Sequence, residues 1–389
     1  MNTNKIIHSL KVLYIAPDAL SGGSSRSLLQ LILYLRESFH IQPIVIVPKI
    51  KSKSLKIEEK FKEYGIPCYS FYFYWYKGEK GIKQYVKILL NWLILYPIIL
   101  FELRNLTIDL VHTNSSVTDL GGVISRVKRV KHIWHLREFG DLDFNLFSGL
   151  GNKIDSLIYK MGNIFIAISQ CVKNAFTKVI PEDKIKLIYN GIQPKAMDLD
   201  AKHINPILQF VQVGAIKATK NQLEALQAFS LLRKKGYIAQ LHFIGSEDKM
   251  YRVILDQYIK EYSLSEYVKF WGECDNISEI ISNMDVGLML SKNEAFGRVT
   301  VEYMMQNLVV IASNTGANPE IVVDGESGYI YQLGDIEELA NKMIFCINNR
   351  AEAFNVGALG KKRANLYFNS KNNAENIYKI YQILLNREN

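Results

Sequence analysis

In the stretch NEAFGRVTVEYMM, residues 293–305, two glutamates stand eight positions apart, Glu294 and Glu302, with Phe296-Gly297 between them. The run DVGLMLS (285–291) before it reads as a β-strand, so KNEA is the strand's exit loop and a helix begins near Phe296-Gly297. Glycine at a helix entry lets the backbone approach an anionic group, and the helix dipole favours negative charge there. Glu294 then lies in the loop. Glu302 lies one to two turns into the helix, with its side chain tilted back toward the N-terminus. Each carboxylate can accept two hydroxyl hydrogen bonds. The pattern suits one ligand with a phosphate in the middle, a ribose diol at one end and a sugar hydroxyl at the other. The helix dipole alone accounts for a glutamate at position 294. It does not account for Glu302 in the apolar setting VTVEYMM.

Other residues invite the same question. Gly22-Gly23 in PDALSGGSSRSLLQ precede a helix starting near Ser24. The spacing is not G-x-G-x-x-G, so the dinucleotide fingerprint is absent. The pair reads either as a flexible strand-to-helix turn or as an anion loop. In VGAIKATKNQLEALQAF, Lys217 and Lys220 stand at a second helix entry, where they are either solvated surface or the neutralising charge for a diphosphate. His135 ends a strand in KHIWHLR, a position that serves structure as readily as chemistry. Asp-Leu-Asp occurs at 141–143 and 198–200, a pattern hard cations use. One copy follows WHLREFG in a loop and the other lies in a linker, so no metal site is assigned. The four cysteines, Cys68, Cys171, Cys274 and Cys346, form no Cys-x-x-Cys pair, which argues against a metal knuckle or disulfide framework.

These residues need a scaffold that brings distant loops together. Short β-rich runs recur at 11–17, 43–48, 67–73, 109–114, 131–137, 164–169 and 185–191, separated by helical stretches such as 24–38, 80–104, 117–128 and 170–178. The alternation predicts a parallel, doubly wound α/β sheet. A second set begins at 207–215 and continues at 240–246, 268–273, 285–291 and 308–316. At 389 residues the chain exceeds one typical core. We therefore expect an N-terminal Rossmann-like domain over 1–190, a linker over 191–206 and a C-terminal Rossmann-like domain over 207–366. A terminal helix over 367–389 is expected to pack back on the first domain. Ligands in such sheets bind beyond the C-terminal strand ends, so the expected site is a cleft to which both domains present those ends.

Composition narrows the partners. The formal net charge is +9 and the isoelectric point about 9.1, which favours acidic partners. The lysines are not interleaved in a recognisable nucleic-acid module, and nucleic acid is not an expected partner. The N-terminus lacks the apolar core and small-residue cleavage site of a signal peptide, so a cytoplasmic protein is expected. The run ILLNWLILYPIILF (88–101) contains Asn91 and Pro97 and falls short of the roughly 20 residues a span requires. It reads either as a helix buried against the sheet or as a monotopic helix at an anionic membrane surface, with Lys77, Lys80, Lys83 and Lys87 close by.

EAFGRVTVE resembles the E-x7-E motif of retaining glycosyltransferases of the GT-B fold, specifically glycosyltransferase family 4. SGGSSRSLLQL is similar to that family's glycine loop and IWHLREF to its histidine-bearing strand. AISQCVKNAF and LIYNGI resemble the segments leading to its hinge. VGAIKATKNQLEALQAF and SNTGANPEIVVDGESGYIY resemble its donor-domain motifs. These motifs, in family order, span most of the chain.

The resemblance implies a GT-B fold and transfer of a sugar from a nucleotide-diphosphate sugar, most simply a UDP-sugar, with retention and without a metal or other cofactor. The implied acceptor is a glycan or lipid-linked sugar in bacterial surface polysaccharide synthesis. Carried over by position, Glu302 holds the donor ribose, while Glu294 and His135 meet the reacting end of the donor. Phe296 and Gly297 offer backbone N–H groups, Gly22 and Gly23 close on the diphosphate, and Lys220 is the diphosphate lysine. Gly316 belongs to the donor-binding set. The family carries arginine where this chain has Ala215, and Lys217 stands two residues on. A 2-epimerase acting on sugar nucleotides, or a noncatalytic sugar-nucleotide-binding protein at a membrane, would share the fold.

Overall fold

The computed structural model describes residues 9–20, 22–50, 57–78, 81–140, 147–148, 151–193, 205–274 and 276–386. Both Asp-Leu-Asp triplets and most of the expected linker lie outside the described residues. Two compact units divide the chain: one runs to Gly191 and resumes at Ser370, and the other is Ile192–Asn369.

In the N-terminal unit seven parallel strands form one sheet: β1 (Lys11–Ile15), β2 (Gln42–Pro48), β3 (Cys68–Phe71), β4 (Leu110–Thr113), β5 (Lys131–Leu136), β6 (Ile164–Ala167) and β7 (Ile185–Leu187). Their order is β3-β2-β1-β4-β5-β6-β7. Runs such as VLYI and IVIV lie in the interior strands β1 and β2, where helices cover both faces and unbroken apolar sequence is favoured. The chain proceeds from β1 to β3 in one direction and then crosses to β4 on the other side of β1. The exits of β1 and β4 therefore flank the point where strand order reverses.

The C-terminal unit repeats the plan with β8 (Leu208–Val213), β9 (Ala239–Ile244), β10 (Val268–Phe270), β11 (Val286–Met289), β12 (Val309–Ser313) and β13 (Tyr329–Tyr331). The order β10-β9-β8-β11-β12-β13, again all parallel, puts the reversal between β8 and β11. The doubly wound α/β class is as expected, and each expected strand is present, mostly a few residues shorter at its C-terminal end. The edge strand β13 was not anticipated, because GYIY is only a three-residue strand behind a turn.

The helix Ser370–Leu384 packs on the helix Gly23–Phe39. Ala374, Ile377 and Tyr381 are fully buried there with Leu28, Ile32 and Leu35. Burying one such isoleucine contributes about 1.5–3 kcal/mol, so the returning helix is integral to the core of this unit.

The apolar run lies in a continuous helix of 21 residues, Ile82–Glu102, longer than the 14-residue run in the sequence. It is long and apolar enough to cross a membrane by length and composition. Pro97 does not end it: residues Asn91–Leu95 form a π-turn, and Pro97 sits in the first turn of the α-helical segment Tyr96–Glu102, where its missing N–H does little harm. The π-turn shifts the inward row by one residue, to Gln84, Ile88, Asn91, Tyr96 and Ile99. Beneath it Asp119, buried, accepts from Trp92 Nε1, within the π-turn, at 2.7 Å and from Tyr96 OH, just after it, at 2.5 Å. The outward row is apolar: Ile82 is 76 % exposed, Leu93 73 % and Phe101 61 %.

Candidate active site

The C-terminal unit gathers its expected residues at the β8/β11 reversal. β8 ends at Val213 and the chain turns at Gly214, whose φ of 147° favours glycine. Gly245, leaving β9, presses on this turn: a Cβ there would stand 2.2 Å from the Gly214 carbonyl oxygen. The chain then makes the single turn Ala218–Lys220, and Gln212 Nε2 donates to the Lys220 carbonyl at 2.6 Å. Lys292, leaving β11, donates its N–H to the Thr219 carbonyl at 3.2 Å, tying the two exit loops together. Lys220 Nζ meets Glu294 Oε2 at 2.7 Å. Both side chains are partly exposed, and such a pair is worth about 0–1 kcal/mol. A diphosphate can therefore take the ammonium at little cost to the fold.

Glu294 is held by its backbone. Ala317 N–H donates to its carbonyl at 2.9 Å, and Gly316, in left-handed backbone at φ 57°, lies so close that a Cβ would sit 2.3 Å from that oxygen. Gly297, at φ 81°, caps the helix Arg298–Met305. A Cβ on Gly297 would reach 3.0 Å from Thr300 Oγ1, 3.4 Å from Asn318 Oδ1 and 3.5 Å from Glu294 Cγ. Those two oxygens are buried and lack a hydrogen-bond partner among the described residues. Thr300 and Asn318 were not anticipated from the sequence. Their only signal was polarity in the otherwise apolar stretches GRVTVEYMM and TGANPEIVV.

The contacts bring Lys220, Glu294, Gly297 and Gly316 together. They do not tie in the remaining candidates of this unit. Glu302 Oε1 is engaged by Arg298 Nε at 2.8 Å, one turn back on the same helix. Such i,i+4 pairs contribute about 0.3–0.5 kcal/mol, so a diol can compete for the carboxylate. The Phe296 ring is buried against Phe368, centroids 5.9 Å apart, and contributes packing. The Lys217 side chain makes no ion pair among the described residues; its residue precedes the Ala218–Lys220 turn in extended backbone.

The N-terminal unit has a polar cluster at its own reversal. Asp18 follows β1, accepts from Ser25 Oγ at 2.9 Å and from Leu20 N–H at 3.1 Å, and burial raises its pKa. Gly22 caps the helix Gly23–Phe39 at an ordinary φ of −71°, and a Cβ on Gly23 would meet nothing within 4 Å, so neither glycine is required by the protein's own backbone or packing. After β4, Asn114 accepts from Arg137 Nε at 2.5 Å, and Arg137 Nη1 reaches Asn190 Oδ1 at 2.7 Å. Glu138 accepts from Ser115 Oγ at 2.5 Å and from Ser116 N–H and Oγ at 2.5 and 2.8 Å. Asp18, Asn114, Arg137 and Glu138 were not singled out from the sequence, although VHTNSS and HLREF place them at strand exits. His135, on β5, is fully buried and stands 3.2 Å from His112. Burial, aided by the charge of Arg137, pushes the pKa of both rings well below the usual value, so both are neutral.

Two parallel Rossmann-like units, each with polar loops at its strand reversal, define a protein of the GT-B class. Residues 21–196 match the family described as Glycosyltransferase Family 4, and residues 203–372 match Glycosyl transferases group 1. The chain belongs to glycosyltransferase family 4.

It is 29 % identical over 234 residues to the capsular polysaccharide biosynthesis glycosyltransferase CapM of Staphylococcus aureus, covering 57 % of this chain and 61 % of that one. It is 23 % identical over 237 residues to N-acetyl-alpha-D-glucosaminyl L-malate synthase of Bacillus anthracis, covering 58 % and 61 %. The match thus spans 61 % of the length of each of these relatives. The solved structure of Anabaena Alr3699/HepE in complex with UDP and glucose shares the fold, with a TM-score of 0.79 at 20 % identity over 96 % of this chain and 99 % of that one.

Proposed function

We propose that the protein transfers a sugar from a UDP-sugar to a glycan or lipid-linked acceptor in surface polysaccharide synthesis, with retention of configuration and without a metal ion. The observation that carries this reading is the Lys220–Glu294 pair at the β8/β11 reversal, where a ligand is expected in such sheets. Lys220 neutralises the diphosphate as it leaves, with Lys217 as a second cation. Backbone N–H groups at Phe296 and Gly297 assist, and Gly316 keeps Glu294 in place. Fixed donors aimed at the leaving charge supply the stabilisation a metal gives elsewhere. Glu294 contacts the sugar ring, and Glu302 exchanges Arg298 for the ribose diol. In the N-terminal unit His135, Gly22 and Gly23 are the residues assigned to substrate. A relative named for capsular polysaccharide synthesis and a neighbour holding UDP and glucose support the donor and the pathway class.

Calorimetric titration with UDP in EDTA tests the donor assignment. The wild type binds, and Glu302→Ala binds about 1.5–3 kcal/mol more weakly, roughly ten- to a hundredfold. Equal affinity in a folded variant removes Glu302 from the donor site.

We also infer that the protein acts as a peripheral protein on the cytoplasmic face of a membrane, through the outward row of Ile82–Glu102. Lys83 and Lys87 lie on this helix, and Lys87 and Lys49 reach over the rings of Tyr74 and Tyr72 at 5.9 and 5.4 Å. An apolar row beside ammonium groups suits anionic lipid. A lipid-linked acceptor would be met at that surface.

A further inference from the structure

Four polar side chains run in file through the core of the N-terminal unit. Tyr14 lies on β1, Tyr381 on the helix Ser370–Leu384, His112 on β4 and His135 on β5, and all four are fully buried. Tyr381 OH donates to Tyr14 OH at 3.3 Å and stands 2.6 Å from His112 Nδ1. His112 Nε2 stands 3.2 Å from His135 Nδ1. The outer nitrogen, His135 Nε2, has no hydrogen-bond partner among the described residues despite its burial.

The proton positions follow from the first member of the file. The Tyr381 proton goes to Tyr14, so the Tyr381 oxygen receives its hydrogen bond from His112 Nδ1–H. A neutral imidazole carries one N–H. His112 Nε2 is therefore a lone pair and accepts from His135 Nδ1–H. His135 Nε2 is left as a bare acceptor, without a partner among the described residues.

We propose that Tyr381 and His112 are positioning residues that hold His135 in its Nδ1–H tautomer, so that Nε2 accepts a hydrogen bond from a hydroxyl of the bound sugar. The sugar-binding half rests on the proposed transferase function; the tautomer half does not. Tyr381 is 269 residues from His112 in sequence, and the closing helix brings it in. The device links that helix to a residue assigned to the reacting end of the donor.

Selective 15N labelling of the seven histidines, with His135 assigned through His135→Asn, reads each tautomer directly. In the wild type His135 is protonated at Nδ1. Tyr381→Phe removes the acceptor for His112 Nδ1–H. His112 then protonates at Nε2 to donate to His135, and His135 switches to Nε2–H. Tyr14→Phe frees the Tyr381 proton for His112 and gives the same switch with the Tyr381 hydroxyl retained. With a UDP-sugar, both variants lose kcat by about tenfold or more while KM for the donor stays near the wild-type value. An Nε2–H form of His135 in the wild type overturns the proposal, and so does an unchanged tautomer in a folded Tyr381→Phe protein. A switched tautomer with unchanged turnover overturns the hydroxyl-accepting role. If neither variant folds, the wild-type spectrum decides alone. Absence of turnover in the wild type counts against the transferase reading, and the tautomer result still decides the relay.

Discussion

Lys220 and Glu294 lie 74 residues apart in sequence and 2.7 Å apart in space. Each was placed at a strand exit from local pattern alone, but their contact depends on β8 and β11 being neighbours, which no local pattern states. Glu302 was legible as a carboxylate in an apolar stretch. Its engagement by Arg298 was equally open to reading, since the two are one turn apart on one helix. The buried oxygens of Thr300 and Asn318 were not legible, because their lack of partners is a property of packing. His132 yields a prediction at this scale. It is fully buried beside Thr113, 2.8 Å from Nε2 to Oγ1, and burial lowers its pKa to about 3. An unfolded histidine titrates near 6.5. As pH falls, the unfolded chain takes up this proton first. The stability contribution is full above about pH 6.5 and is lost on the way down toward 3. Between about pH 7.5 and about pH 5 the loss is about 2 kcal/mol. Denaturant unfolding of the wild type and of His132→Gln at those two pH values should show this increment in the wild type alone. Equal pH dependence would mean that His132 is not held neutral in the fold.

At the scale of elements, strands were the most legible feature, because parallel strands buried on both faces write themselves as apolar runs closed by Gly, Asn or Ser. The apolar helix was the least legible. Pro97 and Asn91 look like interruptions in the sequence. In the fold Asn91 turns inward, where its amide donates to the Tyr74 carbonyl at 2.7 Å and accepts from the Tyr74 N–H at 2.9 Å. The π-turn absorbs the proline, and Asp119 holds the helix there through Trp92 within that turn and Tyr96 just after it. The apolar row is thereby kept on one outward side, from Ile82 to Phe101. Vesicle flotation tests what that side does. The protein should float with anionic vesicles at low salt and be released as salt screens the lysines, each worth about 1 kcal/mol near such a surface. Leu93→Glu should abolish flotation without loss of folding, since Leu93 is largely exposed in the absence of lipid. No flotation of the wild type, or equal flotation of the variant, removes the helix as the contact. Retention through carbonate washing would indicate deeper insertion than a peripheral contact allows.

At the scale of the whole molecule, the restart of strand–helix alternation near residue 207 was enough to expect two Rossmann-like units. The strand orders that create the reversal points were not legible, because neighbour relations in a sheet are set by crossover handedness and packing across the chain. The structure adds that the last helix shares its core with the first unit, through Ile377 and Tyr381. The proposed function makes one central claim, that the protein cleaves a UDP-sugar with retention. Slow hydrolysis of the donor reports this without knowledge of the acceptor. The wild-type protein is incubated in EDTA with UDP-glucose, UDP-galactose and UDP-N-acetylglucosamine in turn, and the anomer of the sugar first released is read by proton NMR before mutarotation. The account predicts that at least one of these α-linked donors yields UDP and the α-anomer first. Release of the β-anomer first, or no UDP from any of the three, would contradict it.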